Sequence, residues 1–148
     1  MKSVWNDREH RELQGRVKQL TARHPAGWGK MNASQMVVHL SDAIRMASGE
    51  LRVAPKNIPV LRYPPLKQLV IYWLPFPKGG PTSPELLARQ PGDWPAEIAD
   101  LQNQLDRFVS RGPRATAATH PAFGRLSGTQ WGVLVYRHMD HHLRQFGV

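Results

Sequence analysis

The chain contains no cysteine among its 148 residues. Disulfides, thiolate metal sites and a cysteine nucleophile are thereby excluded, and any transition metal must be held by His, Asp or Glu. No apolar run approaches the roughly 20 residues of a membrane span. The longest, Leu69 to Leu74, is interrupted by aromatics and closed by Pro75. The first ten residues, MKSVWNDREH, turn polar at once and lack the apolar stretch of a signal peptide. The expectation is a soluble, cytoplasmic protein with no membrane role. The sequence also lacks internal repeats, low-complexity tracts and any block of five or six basic residues. That last absence matters, because Lys and Arg number 20 against 11 Asp and Glu, a net charge of +9. Cations spread from Lys2 to Arg144, without aromatic-basic repeats, disfavour a nucleic-acid binder. They suit a basic surface that favours anionic small molecules.

What is present is enough apolar material, 41% of residues, for one domain covering 1–148. Four long segments read as helices. The first spans about Val4 to Arg23 with Ser3 as its cap, ended by His24-Pro25. The second has Asn32 and Gln35 spaced as a capping box, and Gly49 closes it. The face of this helix is Met36, His39, Leu40, Ala43, Ile44 and Ala47. A third runs from about Pro95 to Ser110 behind Asp93 as cap, with Gly112-Pro113 as the stop. The last starts at Ser127, with Gln130 three residues on, and ends at Gly147. Between the second and third lies a long Pro-rich connection, Glu50 to Asp93, in which Leu66–Leu74 reads as a helix of two turns or a buried strand, the helix favoured because no partner strands are visible. Its stretch Pro75 to Glu85, PFPKGGPTSPE, is irregular, and loops this long in small domains are more often functional than decorative. Without convincing strands, the pattern predicts an all-α fold, a four-helix bundle.

Three of the seven histidines fall within YRHMDHHLRQFGV, Tyr136 to Val148. Residues four apart on a helix share a face, so His138 and His142 point together while His141 is rotated away. The stripe Trp131–Val135 continues into His138 and His142, whereas Leu134 leads toward His141. The spacing matches the two histidines of H-E-x-x-H metalloproteases, but no Glu follows His138. A bare pair is a weak signal, since exposed histidines also suit a helix C-terminus. His39, inside the apolar face of the second helix, strengthens it. Bundle cores hold metals with inward side chains, and three inward histidines from two helices would leave positions open for water or substrate.

The segment WGKMNASQMVVHL, Trp28 to Leu40, together with the closing HMDHHLRQ, resembles the DinB/YfiT-like superfamily of metalloenzymes. PFPKGGPTSPE and HPAFGRLSGTQWG, His120 to Gly132, look like an uncharacterised branch of it. The resemblance implies a four-helix bundle with metal ligands His39, His138 and His142, and a homodimer. It further implies that a divalent metal, zinc or nickel foremost, activates a low-molecular-weight thiol cosubstrate in an S-transferase or isomerase reaction on a small molecule. With no protein cysteine, the sulfur would come from that cosubstrate. Metal-dependent hydrolysis ranks second, because no glutamate adjoins the histidines. A non-catalytic, stress-related binding or dimerisation protein is the rival from another class. His120, before Pro121, is read as an acid/base at the site mouth, against the plainer reading of a turn residue. Gln145 is weighed as a partner for a ligand histidine or a helix end. Asp42 is weighed as an imidazole acceptor, with a solvated helix position preferred. Asp140, His10 and His24 are taken as surface groups, and Trp28, Trp73 and Trp131 as pocket wall or core.

Overall fold

A computed structural model describes residues 1–79, 82–115 and 118–148. The described chain is mostly helical, in the order α1 (Asp7–Gln19), α2 (Ala33–Ala47), α3 (Leu66–Tyr72), α4 (Trp94–Arg111) and α5 (Gly128–Gln145). Among the described residues no helix is long and apolar enough to cross a membrane. Two strands of two residues, β1 (Thr119–His120) and β2 (Gly124–Arg125), pair antiparallel before α5. The sequence pattern did not anticipate them, since a strand this short has no periodicity to read.

Capping decides where the helices begin. α1 starts at Asp7 rather than Val4, because the Asn6 side chain accepts from the N–H groups of Arg8 and Glu9. Val4 is still fully buried, but in a turn closed by the Asn6 N–H on the Ser3 carbonyl, and its own N–H donates to the Gly132 carbonyl. The capping boxes expected at Asn32/Gln35 and Ser127/Gln130 are both closed, fixing the starts of α2 and α5 within a residue. Asp93 occupies the cap position of α4 without making a side-chain cap bond. The Glu97 carboxylate instead accepts from the Gly92 N–H at 2.9 Å, bracing the chain just before the cap.

α2 and α1 each pack against both α4 and α5. Twelve of the fifteen α2 residues are buried, so this helix is covered nearly all round. Its buried Asp42 bonds Arg45 at 2.7 Å and Arg89 at 3.3 Å. Arg45 also reaches Asp100, and Arg89 reaches Glu97 at 2.9 Å. These paired charges join α2, α4 and the Pro-rich connection, and a lone charge at Asp42 would be costly. The fully buried Leu13, Met36, Leu40, Leu101, Leu105, Phe108, Trp131, Met139 and Leu143 form the centre of the core. Trp73 is 72% exposed, so it serves neither as core nor as pocket wall.

Two glycines of α5 allow close approach. A Cβ at Gly132 would collide with the indole of Trp5, which donates to the Gly128 carbonyl at 2.8 Å and stacks on Phe108 at 4.9 Å. A Cβ at Gly128 would strike the Pro113 carbonyl, which cannot rotate away. Gly→Ala inside a helix ordinarily stabilises by up to about 1 kcal/mol. Here Gly132→Ala and Gly128→Ala are expected to destabilise by about 1–3 kcal/mol from overpacking, the Gly128 variant more. Urea unfolding midpoints equal to or above wild type would contradict that packing.

Candidate metal centre

His39 sits in the buried middle of α2, and His138 and His142 lie one turn apart near the end of α5. The packing of α2 on α5 brings them together, so that one ligand atom from each lies within 4.8 Å of the others. Their rings meet edge to face at centroid separations of 4.8–5.0 Å. The His39 and His138 Nε2 atoms are 3.1 Å apart. Ligands of a tetrahedral metal with metal–nitrogen bonds of about 2.0–2.1 Å would sit at a similar spacing, roughly 3.3 Å.

Hydrogen bonds behind the rings select which nitrogen is free. His39 Nδ1 lies 3.2 Å from the Leu86 carbonyl oxygen. A carbonyl only accepts, so the neutral ring carries its proton on Nδ1 and turns an Nε2 lone pair inward. His142 Nδ1 lies 2.8 Å from Gln145 Oε1. That amide cannot flip, because its Nε2 donates to the Trp28 carbonyl. His142 is therefore held in the same tautomer, with Nε2 free. Gly29 makes this clamp possible. It has φ +81°, and a Cβ there would lie 2.6 Å from the Gln145 Nε2.

The electrostatics agree with ligand duty. Burial, then repulsion from His39, pushes His142 down to about 3. Burial also lowers His39, and it lowers His138 well below the ordinary range, with the neighbouring imidazoles adding to it. All three are neutral at pH 7, the state a metal ligand requires.

The three histidines line one side of a cavity of about 650 Å³. Ile44, Leu86, Phe123, Val135 and Met139 make much of its apolar wall. Pro75–Glu85 contributes Phe76, Pro77, Gly79, Thr82 and Ser83 to this wall. Residues 80 and 81 of that stretch lie outside the described residues, as do 116 and 117 of the loop before α5. Phe76 lies 6.2 Å from the His138 ring, with the Arg137 guanidinium over its face at 5.0 Å. Trp28 is also in the wall, under the Lys78 ammonium at 4.4 Å.

His141 lines the cavity but stands outside the convergent trio, packed against Trp28 and Phe76. His120 lines it too. Its Nδ1 accepts from the Ala122 and Phe123 N–H groups at 3.1 and 3.2 Å, so it holds the β1–β2 turn. The neutral ring then carries its proton on Nε2. Burial, reinforced by Lys56 and Lys67, pushes its pKa down to about 3. His120 is thus placed as a hydrogen-bond donor and is a poor proton acceptor. Asp42 does not bond His39, being engaged by Arg45 and Arg89. Asp140 pairs with Arg16 at 2.7 Å and His10 with Asp106 at 2.8 Å, while His24 accepts from Thr21. The Leu86 carbonyl was missed from the sequence, because every residue type carries that group.

Fold and site together define a class, that of helical proteins with three neutral histidines converging at an apolar cavity. The chain belongs to the family described as Protein of unknown function (DUF1569), whose model matches residues 9–147. No curated protein and no solved structure matches it.

Removing the acceptor behind a ligand histidine typically costs 10–100-fold in metal affinity. Gln145→Leu is expected to weaken zinc binding by about that factor, measured by competition with a chromophoric chelator; unchanged affinity would show that the clamp is irrelevant. The His120 shift has a definite sign. Its folded pKa of about 3 lies below the model-peptide value of 6.5, so the unfolded chain binds the extra proton first. The associated stability is complete above pH 6.5 and is lost as pH falls toward 3. In EDTA, the Tm of wild type should fall more steeply between pH 6.5 and 4 than that of His120→Asn, and parallel profiles would refute the assignment.

Proposed function

We propose that this chain is a metal-dependent enzyme on a four-helix bundle of the DinB/YfiT-like kind, made by α1, α2, α4 and α5. Its metal is held by His39, His138 and His142, with zinc or nickel the best match to an all-imidazole donor set. The observation that carries the reading is the pair of outer hydrogen bonds, Leu86 carbonyl to His39 and Gln145 to His142. They leave Nε2 lone pairs facing the same point. Any buried ring N–H needs an acceptor, so what supports ligand duty is that both bonds engage Nδ1 and leave the Nε2 atoms to the three-histidine cluster.

Three protein ligands leave coordination positions open, and a bound divalent ion supplies Lewis acidity there, toward a thiol or a carbonyl oxygen. The remaining tasks fall to the chain. The apolar wall lowers the polarity beside the histidines and so strengthens electrostatic interactions there. Phe76 and Trp28 confine the ligand from the side of the Pro-rich connection. His120 offers its Nε2–H to an oxygen or sulfur of the substrate. Among the described residues no Asp or Glu lines the cavity, so no carboxylate stands there as a general base for hydrolysis. That favours the reading of a transferase or isomerase using a low-molecular-weight thiol over a hydrolase. The family resemblance adds a homodimer as the proposed assembly.

Protein purified without a His-tag is expected to hold about one zinc or nickel per chain. His39→Ala and His138→Ala should lose it, and His141→Ala should keep it, as read by elemental analysis. Metal content that is substoichiometric, does not rise on adding metal and does not respond to either ligand substitution would remove the enzyme reading. With metal bound, turnover of an electrophile by glutathione, bacillithiol, mycothiol and an apolar monothiol is the next measurement; inactivity with every thiol would favour the hydrolase or the binding-protein alternative.

A further inference from the structure

The charge around the cavity is one-sided. The ligand histidines are neutral, and the groups behind two of them, a carbonyl and an amide, are neutral as well. In many metal sites a carboxylate supports a ligand histidine and offsets part of the ion's charge. Here Asp42 is paired with Arg45 and Arg89 and Asp140 with Arg16, while Glu85 accepts from the Ala54 N–H and keeps its charge near Lys56, outside the cavity wall. The ionisable groups in the cavity wall are five histidines, Lys30 and Lys56. Lys30 makes no ion pair among the described residues. The connection that covers this side of the molecule adds to the asymmetry. Residues 51–84 contain Arg52, Lys56, Arg62, Lys67 and Lys78 and no Asp or Glu.

Apart from that cationic pole the wall is apolar, in a volume of about 650 Å³. A dication with no carboxylate in the cavity wall, beside a largely apolar surface, would attract one negative head group strongly. The apolar wall offers little to a second. We propose that the cavity is a receptor for an apolar-bodied monoanion, a carboxylate or thiolate whose head lies at the three histidines and whose body lies along Ile44, Phe123 and Val135. The proposal rests on the metal-centre reading and names the ligand class that site selects. Lys30 is assigned as a residue that raises the preference for charge, without touching the reacting atoms.

The test uses the full chain loaded with zinc and titrated calorimetrically at pH 7.5 with 4-phenylbutanoate, its neutral amide 4-phenylbutanamide, and 4-phenylbutane-1-thiol. The acid is expected to bind about tenfold or more tighter than the amide, a difference of about 1.4 kcal/mol. Lys30→Gln should weaken the acid several-fold and leave the amide unchanged. The thiol should release close to one proton on binding, seen as different heats in HEPES and Tris. Tighter thiol with proton release assigns a thiolate head; tighter acid assigns a carboxylate, and either supports the class. Equal affinities for all three, or no binding of any, with zinc present at one per chain, would overturn this inference while the metal centre stands. Absence of zinc from the wild type would overturn both.

Discussion

An imidazole can give a metal only the nitrogen that its other hydrogen bond leaves free. Two such bonds, placed by unrelated parts of this chain, set which nitrogens of the histidine cluster are free. His39 is turned by the Leu86 carbonyl and His142 by Gln145. If either ring were to swap tautomers, a proton would point where a lone pair now does. The three buried nitrogens would then be a cluster of hydrogen-bond donors and acceptors instead of a ligand set. Burial acts in the same direction by holding the rings neutral.

The long connection between α2 and α4 is a structural part of this centre. Leu86 belongs to it, and the Leu86 carbonyl can orient His39 only if the connection is fastened nearby. Arg89 supplies that fastening by gripping Asp42 on α2 and Glu97 on α4. The buried ion pairs thus serve position more than net stability, which is the better-supported use of such pairs. Further along, Arg137 on α5 donates to the Val70 carbonyl at 2.8 Å and to those of Ile71 and Leu74, holding the end of α3 beside the cavity.

The apolar wall and the basic connection act together. The proposed metal would be a weak positive centre in water, where the dielectric screens it, and would gain force beside an apolar wall. The same wall leaves proton transfer to imidazoles, because no carboxylate among the described residues reaches it. His120, pressed by burial toward a pKa of about 3, accepts protons poorly near neutrality.

Much of the architecture was legible in local pattern. The S/N-x-x-Q spacings at Asn32 and Ser127 specified two helix starts, because a capping box is a contact among residues four positions apart or fewer. The i, i+4 spacing put His138 and His142 on one face and set His141 aside, and the apolar neighbours of His39 turned it inward. Gln145 was within reach of His142 on the same helix and so was nameable. The start of α1 was misplaced by three residues, since Ser3 and Asn6 are both good caps and only the packing of Val4 against Gly132 separates them. What tertiary structure alone decided is the convergence and its polarity. The docking of α2 on α5 brought His39 to the other two, folding of the Pro-rich connection delivered the Leu86 carbonyl, and Arg45 and Arg89 took Asp42 away from the site. Those are contacts between residues far apart in the chain, and a carbonyl oxygen or a competing guanidinium leaves no local pattern to read.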